Sequence, residues 1–189
     1  MTTISIPYEI SRLHTITNSD DTRRNLQYIH IIKRENKYLA EATNGHIAMR
    51  VYFVPPEGHT LPPEFFVHRD VAKQLCKLKG MERIGAILDL KEFSNKVGNY
   101  PEIDQVWATP TFINPGAYTH LDVDYLHTLT SCACDIAKNN TGGKLKTFAA
   151  QVLTTGALDK DGKYYNPFIV RWPNLGELPY EGLIMPVEV

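Results

Sequence analysis

The apolar and polar positions along the chain change period several times, from two residues to about three and a half, and each change marks an element. Thr3-Ile4-Ser5-Ile6 alternates as a short strand. Pro7 suits the first position of a helix, where a missing N–H costs nothing. Ile10, Leu13 and Ile16 or Thr17 then recur at helical spacing, and the polar run Asn18-Ser19-Asp20-Asp21 closes that helix. The stretches 26–33, 38–43 and 46–54 are rich in β-branched and aromatic residues and predict three antiparallel strands. Residues 34–37 separate the first two. Asn44-Gly45 separates the next two, a strong hairpin signal because both residues tolerate positive φ.

Pro55-Pro56-Glu57-Gly58 and Pro62-Pro63 bracket a linker. Beyond it, residues 64–67 predict a strand, 68–79 a helix stopped by Gly80, and 84–90 another strand. Residues 100–107 predict an extended segment and 110–116 a loop. Asp122 is placed as a helix N-cap, and Val123, Leu126, Leu129, Cys132 or Ala133, and Ile136 mark one apolar face. Residues 139–143 predict a turn. Strands follow at 145–153, 167–172 and 182–187, with 159–163 as a hairpin tip. A strand-helix-strands order therefore starts about three times, at Thr3, Glu64 and Phe112, without a sequence repeat of fixed period.

Composition narrows the function classes. Of 189 residues, 43% are hydrophobic and 22% charged, the balance of an ordinary globular protein. No apolar run approaches the ~20 residues of a membrane span, and the N-terminus does not read as a signal peptide, so the expectation is a cytoplasmic protein with no membrane contact. The net charge of -1 excludes a broadly basic nucleic-acid-binding surface and leaves only local charge placement for any DNA contact. The three cysteines, Cys76, Cys132 and Cys134, match no metal-ligand spacing and read as reduced thiols. Asp20-Asp21 and Asp122-x-Asp124 are the tight carboxylate pairs, and helix capping explains both. No nucleophile elbow, phosphate-cradling glycine loop or H-E-x-x-H is present. The expectation is a protein that is not an enzyme and needs no cofactor or metal; an unrelated α+β hydrolase is the weakest alternative.

Five segments carry a resemblance. Ala42-Thr43-Asn44-Gly45-His46-Ile47-Ala48 resembles the A-T-D-G-H-R-L-A turn of bacterial DNA-polymerase sliding clamps, the beta subunits, with Asn for Asp and Ile for Arg. Phe65–Leu75 is similar to a clamp strand leading into a basic helix, and Leu121-Asp122-Val123-Asp124-Tyr125-Leu126 to the clamp F-N-x-x-Y-L. Leu183-Ile184-Met185-Pro186-Val187 resembles the V-M-P strand that ends the family, and Tyr100-Pro101-Glu102 its F-P-D. The resemblance implies an α+β, DNA-clamp-like fold of repeated strand-helix-strands units with helices packed on antiparallel sheets. It further implies two parts: residues 1–110 as a domain like the middle clamp domain, and 111–189 as a half-domain like the C-terminal part of the last one.

As function, the resemblance implies a sliding-clamp-like accessory factor of DNA replication or repair. Its partners would be DNA polymerases and other proteins with clamp-binding motifs, and double-stranded DNA. A peptide groove would be lined by Leu26, Thr43, Gly45, His46, Leu183 and Met185. Leu26, Leu183 and Met185 offer an adaptable apolar floor, and Thr43 and His46 offer hydrogen bonds to an extended peptide. Read without the resemblance, these six would instead be core residues plus a turn, with Gly45 explained by the turn alone. Arg69, Lys73 and Lys77, spaced i, i+4, i+8, would contact DNA phosphates without sequence preference; read alone, they are a solvated helix face. The resemblance implies a full ring of ~12 strand-helix-strands units, so such chains would assemble as a homo-oligomer of roughly four to a ring, or about six if the short middle unit does not count. The alternative is a clamp-fold regulatory or partner-binding module that does not encircle DNA.

Overall fold

The computed structural model describes residues 2–5, 7–55, 60–77, 84–88, 100–107, 122–140, 150–154, 168–172 and 180–185. In chain order the elements are β1 (Thr2–Ser5), α1 (Tyr8–Arg12), β2 (Tyr28–Arg34), β3 (Lys37–Thr43), β4 (Ile47–Phe53), β5 (Glu64–His68), α2 (Arg69–Leu75), β6 (Ile84–Leu88), α3 (Ile103–Val106), α4 (Val123–Asn140), β7 (Gln151–Thr154), β8 (Phe168–Arg171) and β9 (Tyr180–Ile184). Two 3-10 segments, Leu13–Thr15 and Asp21–Gln27, follow α1. Seven strands form one antiparallel sheet in the order β5-β2-β3-β4-β9-β8-β7, and β1 pairs with β6 in a separate two-stranded ladder.

Strand periodicity decides what each face of the large sheet carries. Ile29 and Ile31 of β2, Ala40 and Ala42 of β3, and Ile47, Met49, Val51 and Phe53 of β4 all point to one side. Tyr180 and Ile184 of β9 and Phe168 and Val170 of β8 join them, and the helices cover this side. There α1 brings Ile10, α2 brings Ala72 and Leu75, and α4 brings Leu129, Cys132, Ala133, Ile136 and Ala137. α1 lies between the other two helices, packed on α2 and on α4, and an ion pair from Arg12 to Asp135 ties it to α4. The opposite face of the sheet carries polar residues, yet the inner strand β3 is buried on both sides, because residues 100–107 cross over that face.

Local chemistry places the breaks. The Asn44 side-chain carbonyl accepts from the backbone of His46 and Ile47, both at 2.9 Å, and the Asn44 N–H donates to the Ile47 carbonyl. Among the described residues of this turn only Gly45 has positive φ, at 95°, so Asn44 closes the turn with its side chain and not with its backbone. The β2–β3 hairpin turns on Glu35-Asn36, with Glu35 at φ 54°. Asp122 caps α4 as expected, accepting from the Asp124 N–H at 2.8 Å.

Several expectations are corrected. The strand predicted at 26–33 begins at Tyr28, and Leu26 lies in the preceding 3-10 segment. The helix predicted over 68–79 ends at Leu75, where bonds from the Cys76 and Lys77 N–H groups to Ala72 and Gln74 tighten its last turn. Residues 100–107 contain the short helix α3 instead of extended chain. α4 runs through Asn139 and Asn140, where the sequence predicts a turn, and Val123, expected on its buried face, is 74% exposed. The last strand stops at Ile184. The Gly80 stop, the 110–116 loop, the strand starting at Phe112 and the 159–163 tip lie outside the described residues.

The β4–β9 pairing needs a glycine under α4. A Cβ on Gly182 would stand 3.0 Å from Trp172 and 3.1 Å from Leu129, both fully enclosed in the core. Gly182→Ala is therefore expected to cost about 1–3 kcal/mol through overpacking. Urea unfolding of the two proteins reads this as a lower midpoint with an unchanged slope.

Candidate functional site

The β3–β4 turn, the end of β9 and the start of α4 meet at one rim of the sheet. The Met185 N–H donates to the His46 carbonyl at 2.8 Å, which docks the end of β9 beside the turn. The His46 ring, exposed to solvent, stacks on Tyr125 of α4 with centroids 5.5 Å apart and planes 14° from parallel. Leu26 Cδ1 would be 3.7 Å from a Cβ on Gly45, so Leu26 flanks the turn from the other side. The positive φ of Gly45 favours glycine there, whereas Arg23 Nη1, 2.8 Å from that Cβ position, is the end of a flexible exposed side chain that can move aside. Asn18, Asp20, Thr22, Arg23, Asn44 and His46 line an adjoining open polar depression of about 380 Å3.

The six groove candidates fall into three environments. Gly45, His46 and Leu26 border the rim directly. Thr43 is buried, and its hydroxyl is spent inside the turn: it donates to the Ile47 carbonyl at 2.7 Å and accepts from the Gly45 N–H at 3.0 Å. Leu183 is buried beneath the 100–107 segment with Ala48 and Ile103, and Met185, half-buried, packs on the same cluster with Tyr100 and Trp107. Met185 thus joins the rim to an apolar cluster on the outer face. The spacing of residues missed Tyr125 and Arg23 as members of this rim. Tyr125 stood within the segment that carried the resemblance, but nothing in the sequence paired it with His46.

The basic candidates are placed differently from one another. Arg69 has a side chain only 20% exposed, and its guanidinium donates to the Asn18 carbonyl at 2.8 Å. Lys73 is exposed on α2, and Lys77 is exposed in the turn beyond the helix. The regular i, i+4, i+8 face is therefore interrupted at both ends, because the helix is short and its first residue ties it to the end of the 3-10 region.

The cysteines sit among the helices. Burial pushes the Cys132 thiol up to about 11, where it stays protonated at neutral pH. Cys76 Sγ lies 3.1 Å from the Ser11 hydroxyl and 3.7 Å from His14 Nδ1. That nitrogen is 2.8 Å from the Ser11 carbonyl, so its proton goes there and it does not serve as a base toward the thiol. Burial lowers the His14 pKa. Among the described residues no three His, Cys, Asp or Glu side chains are arranged to hold a metal ion, and no helix is long and apolar enough to cross a membrane.

A polar network lies across the outer face. His30, Glu41, Arg50, Glu181 and Arg171 are direct cross-strand partners along one row of the sheet. Glu41 and Arg50 are each only 6% exposed, and Arg50 Nε donates to Glu41 at 3.1 Å. The Arg50 guanidinium also pairs with Asp104 and lies 4.3 Å over the Trp107 ring. Trp107 Nε1 donates to Glu181 at 3.0 Å, and Arg171 donates to Glu181 at 2.6 Å.

Comparison with known proteins gives the fold a family likeness. No protein-family model matches the sequence, and no curated protein matches it either. Solved structures do. The beta subunit of Streptococcus pyogenes DNA polymerase aligns with a TM-score of 0.52 at 10% identity, over 96% of this chain and 63% of that one. The Streptococcus pneumoniae DNA polymerase III beta chain gives 0.53 at 12% identity, over 100% and 65%. The H. pylori beta clamp, in complex with diflunisal, gives 0.53 at 9% identity, over 99% and 66%. The chain spans just under two thirds of the length of these clamps. At these identities the likeness concerns the fold alone: an antiparallel sheet with packed helices in the arrangement of the bacterial sliding clamp.

Proposed function

We propose that this chain is a clamp-like accessory factor of DNA replication or repair that works by binding, not by catalysis. Short peptide motifs of a polymerase or another partner dock at the rim where the end of β9 meets the β3–β4 turn. The single observation that carries this reading is the bond from the Met185 N–H to the His46 carbonyl, beside the His46–Tyr125 stack. It brings half-buried Met185, an aromatic face and the Gly45 backbone together at one edge. Such a surface takes leucine or aromatic anchors of an extended peptide. Of the six groove residues, Gly45, His46 and Met185 touch the ligand in this proposal, while Leu26, only 7% exposed, backs the turn, Thr43 shapes it and Leu183 supports Met185 from beneath. In keeping with the sequence division, residues 1–110 act as the domain that holds the turn, and 111–189 as the half-domain that supplies Tyr125 and Met185.

A second reading, a clamp-fold partner-binding module that does not encircle DNA, is favoured by the commitment of Arg69 to the Asn18 carbonyl. That leaves Lys73 and Lys77 as the exposed cations of the proposed DNA face, on a protein of net charge -1.

Two experiments separate the outcomes. Titration of labelled polymerase-derived clamp-binding peptides is expected to show saturable binding, weakened by about 1–2 kcal/mol in each of Met185→Ala and His46→Ala. Melting curves of both variants must match wild type for the comparison to hold. Equal affinity for all three proteins would remove the rim as the site. If DNA is held, light scattering should show a ring of roughly four chains. Affinity for duplex DNA should then fall steeply with salt, and Lys73→Ala with Lys77→Ala should reduce the slope by about 2 per chain. A monomer or simple dimer without salt-dependent DNA binding leaves the partner-binding module.

A further inference from the structure

We propose that His30 is held as a doubly protonated imidazolium on the outer face of the sheet, and that its loss of a proton loosens edge strand β5, and with it the start of α2. The geometry demands the charged ring. Nδ1 lies 2.9 Å from Glu41 Oε1 and Nε2 lies 2.9 Å from Glu64 Oε1. An ionised carboxylate only accepts, and a neutral imidazole has a single N–H. One of the two contacts is therefore a hydrogen bond only when both nitrogens carry protons.

The charge count of the network agrees. Among the described residues it contains four cations, His30⁺, Arg34, Arg50 and Arg171, and four anions, Glu41, Glu64, Asp104 and Glu181. It balances only with His30 charged. The ring is also sheltered. Its side chain is 12% exposed, Phe66 of β5 stacks on it at 4.7 Å, and Tyr100 covers it at 5.1 Å. Tyr100 remains a neutral phenol, because burial and then Glu41 raise its pKa, and its hydroxyl donates to the Glu41 carbonyl. Burial alone would lower the His30 pKa, but the hydrogen bonds to Glu41 and Glu64 outweigh it and raise the pKa above 6.5.

The two carboxylates do not share the loss equally. Glu41 is buried and keeps Arg50 as a second donor. Leaving a buried carboxylate short of donors costs more than releasing an exposed one. The neutral ring therefore keeps its N–H on Glu41 and drops Glu64, which is 56% exposed at the start of β5. Strand β5 pairs only with β2 among the described strands, and it runs directly into α2 through His68, which caps that helix. The sign follows from the raised pKa. The bridge is intact below pH 6.5, where unfolded histidine is also charged, and it is lost as pH rises through the higher folded pKa. The His30 bridge thus links pH above 6.5 to the stability of β5 and the placement of Arg69 and Lys73.

The test is imidazole 15N NMR of the full chain together with amide hydrogen exchange of β5 between pH 5.5 and 8.5. His30 is expected to show both nitrogens protonated at pH 6.5 and to titrate above that value. Exchange through opening of residues 64–67, corrected for intrinsic rates, is expected to rise about tenfold across the titration, the weight of one charge-assisted hydrogen bond. Glu64→Gln, at an exposed edge position, should move the His30 midpoint to lower pH. His30→Gln should leave β5 exchange free of any pH step. A neutral single-N–H tautomer at pH 6.5, an unshifted midpoint in Glu64→Gln, or the same step in His30→Gln overturns the proposal.

Discussion

The structure depends on the antiparallel pairing of β4 with β9. These strands lie far apart in sequence, yet they meet residue by residue from Ile47 and Ile184 to Val51 and Tyr180. Without this ladder the four strands β5-β2-β3-β4 and the three strands β9-β8-β7 would be separate, each with an open edge. Each side of the seam uses different physics. On the helix side, Gly182 lets Leu129 and Trp172 close over the strands to within 3.0–3.1 Å of where a methyl group would stand. On the outer side, Arg50 and Glu181 face each other across the seam, and Trp107 lies against both.

The outer network is better read as a device for register than as a source of stability. Burying Glu41 and Arg50 costs desolvation that their mutual attraction roughly repays, whereas removing one partner leaves a buried charge at a cost of about 3–5 kcal/mol. A one-residue slip of β4 against β3 or β9 would separate the pairs and turn Arg50 into the helical core. The same register puts His46 beside Met185, since the bond from the Met185 N–H to the His46 carbonyl extends the β4–β9 ladder past its last pair, Ile47 with Ile184. The candidate rim is therefore a consequence of the seam, and its geometry is only as well defined as that pairing.

Much of this was legible from period and turn chemistry. Ile10, Leu129, Cys132 and Ile136 announced their helical faces and are buried; Leu13 and Ile16, expected on the same face as Ile10, are buried too but lie beyond the end of α1 at Arg12, Leu13 in a 3-10 segment. The strands around Asn44-Gly45 were placed to within two residues. The segment 100–107 was not legible. Tyr100, Ile103, Val106 and Trp107 are all good strand formers, and the short helix there is held by tertiary contacts, with Ile103 buried beside Leu183 and Asp104 on Arg50. The charged row was invisible for a related reason. Glu41, Arg50 and Glu181 look like the outward residues of any half-exposed strand, and only the register shows that they meet. At the rim, the turn and the Met185 segment could be singled out, but the local sequence gave no sign that Thr43 spends its hydroxyl on Ile47 or that Tyr125 stacks on His46.

The central claim is that β9, docked on the β3–β4 turn, builds a peptide-binding rim. The most direct measurement is an amide chemical-shift map of the isotopically labelled chain as a polymerase-derived clamp-binding peptide is added. The account predicts that the largest shifts fall on Gly45, His46, Tyr125 and Met185, with little change on α2 or the outer face around His30. Shifts concentrated on α2 or on the 100–107 segment, with the rim silent at saturation, would contradict it.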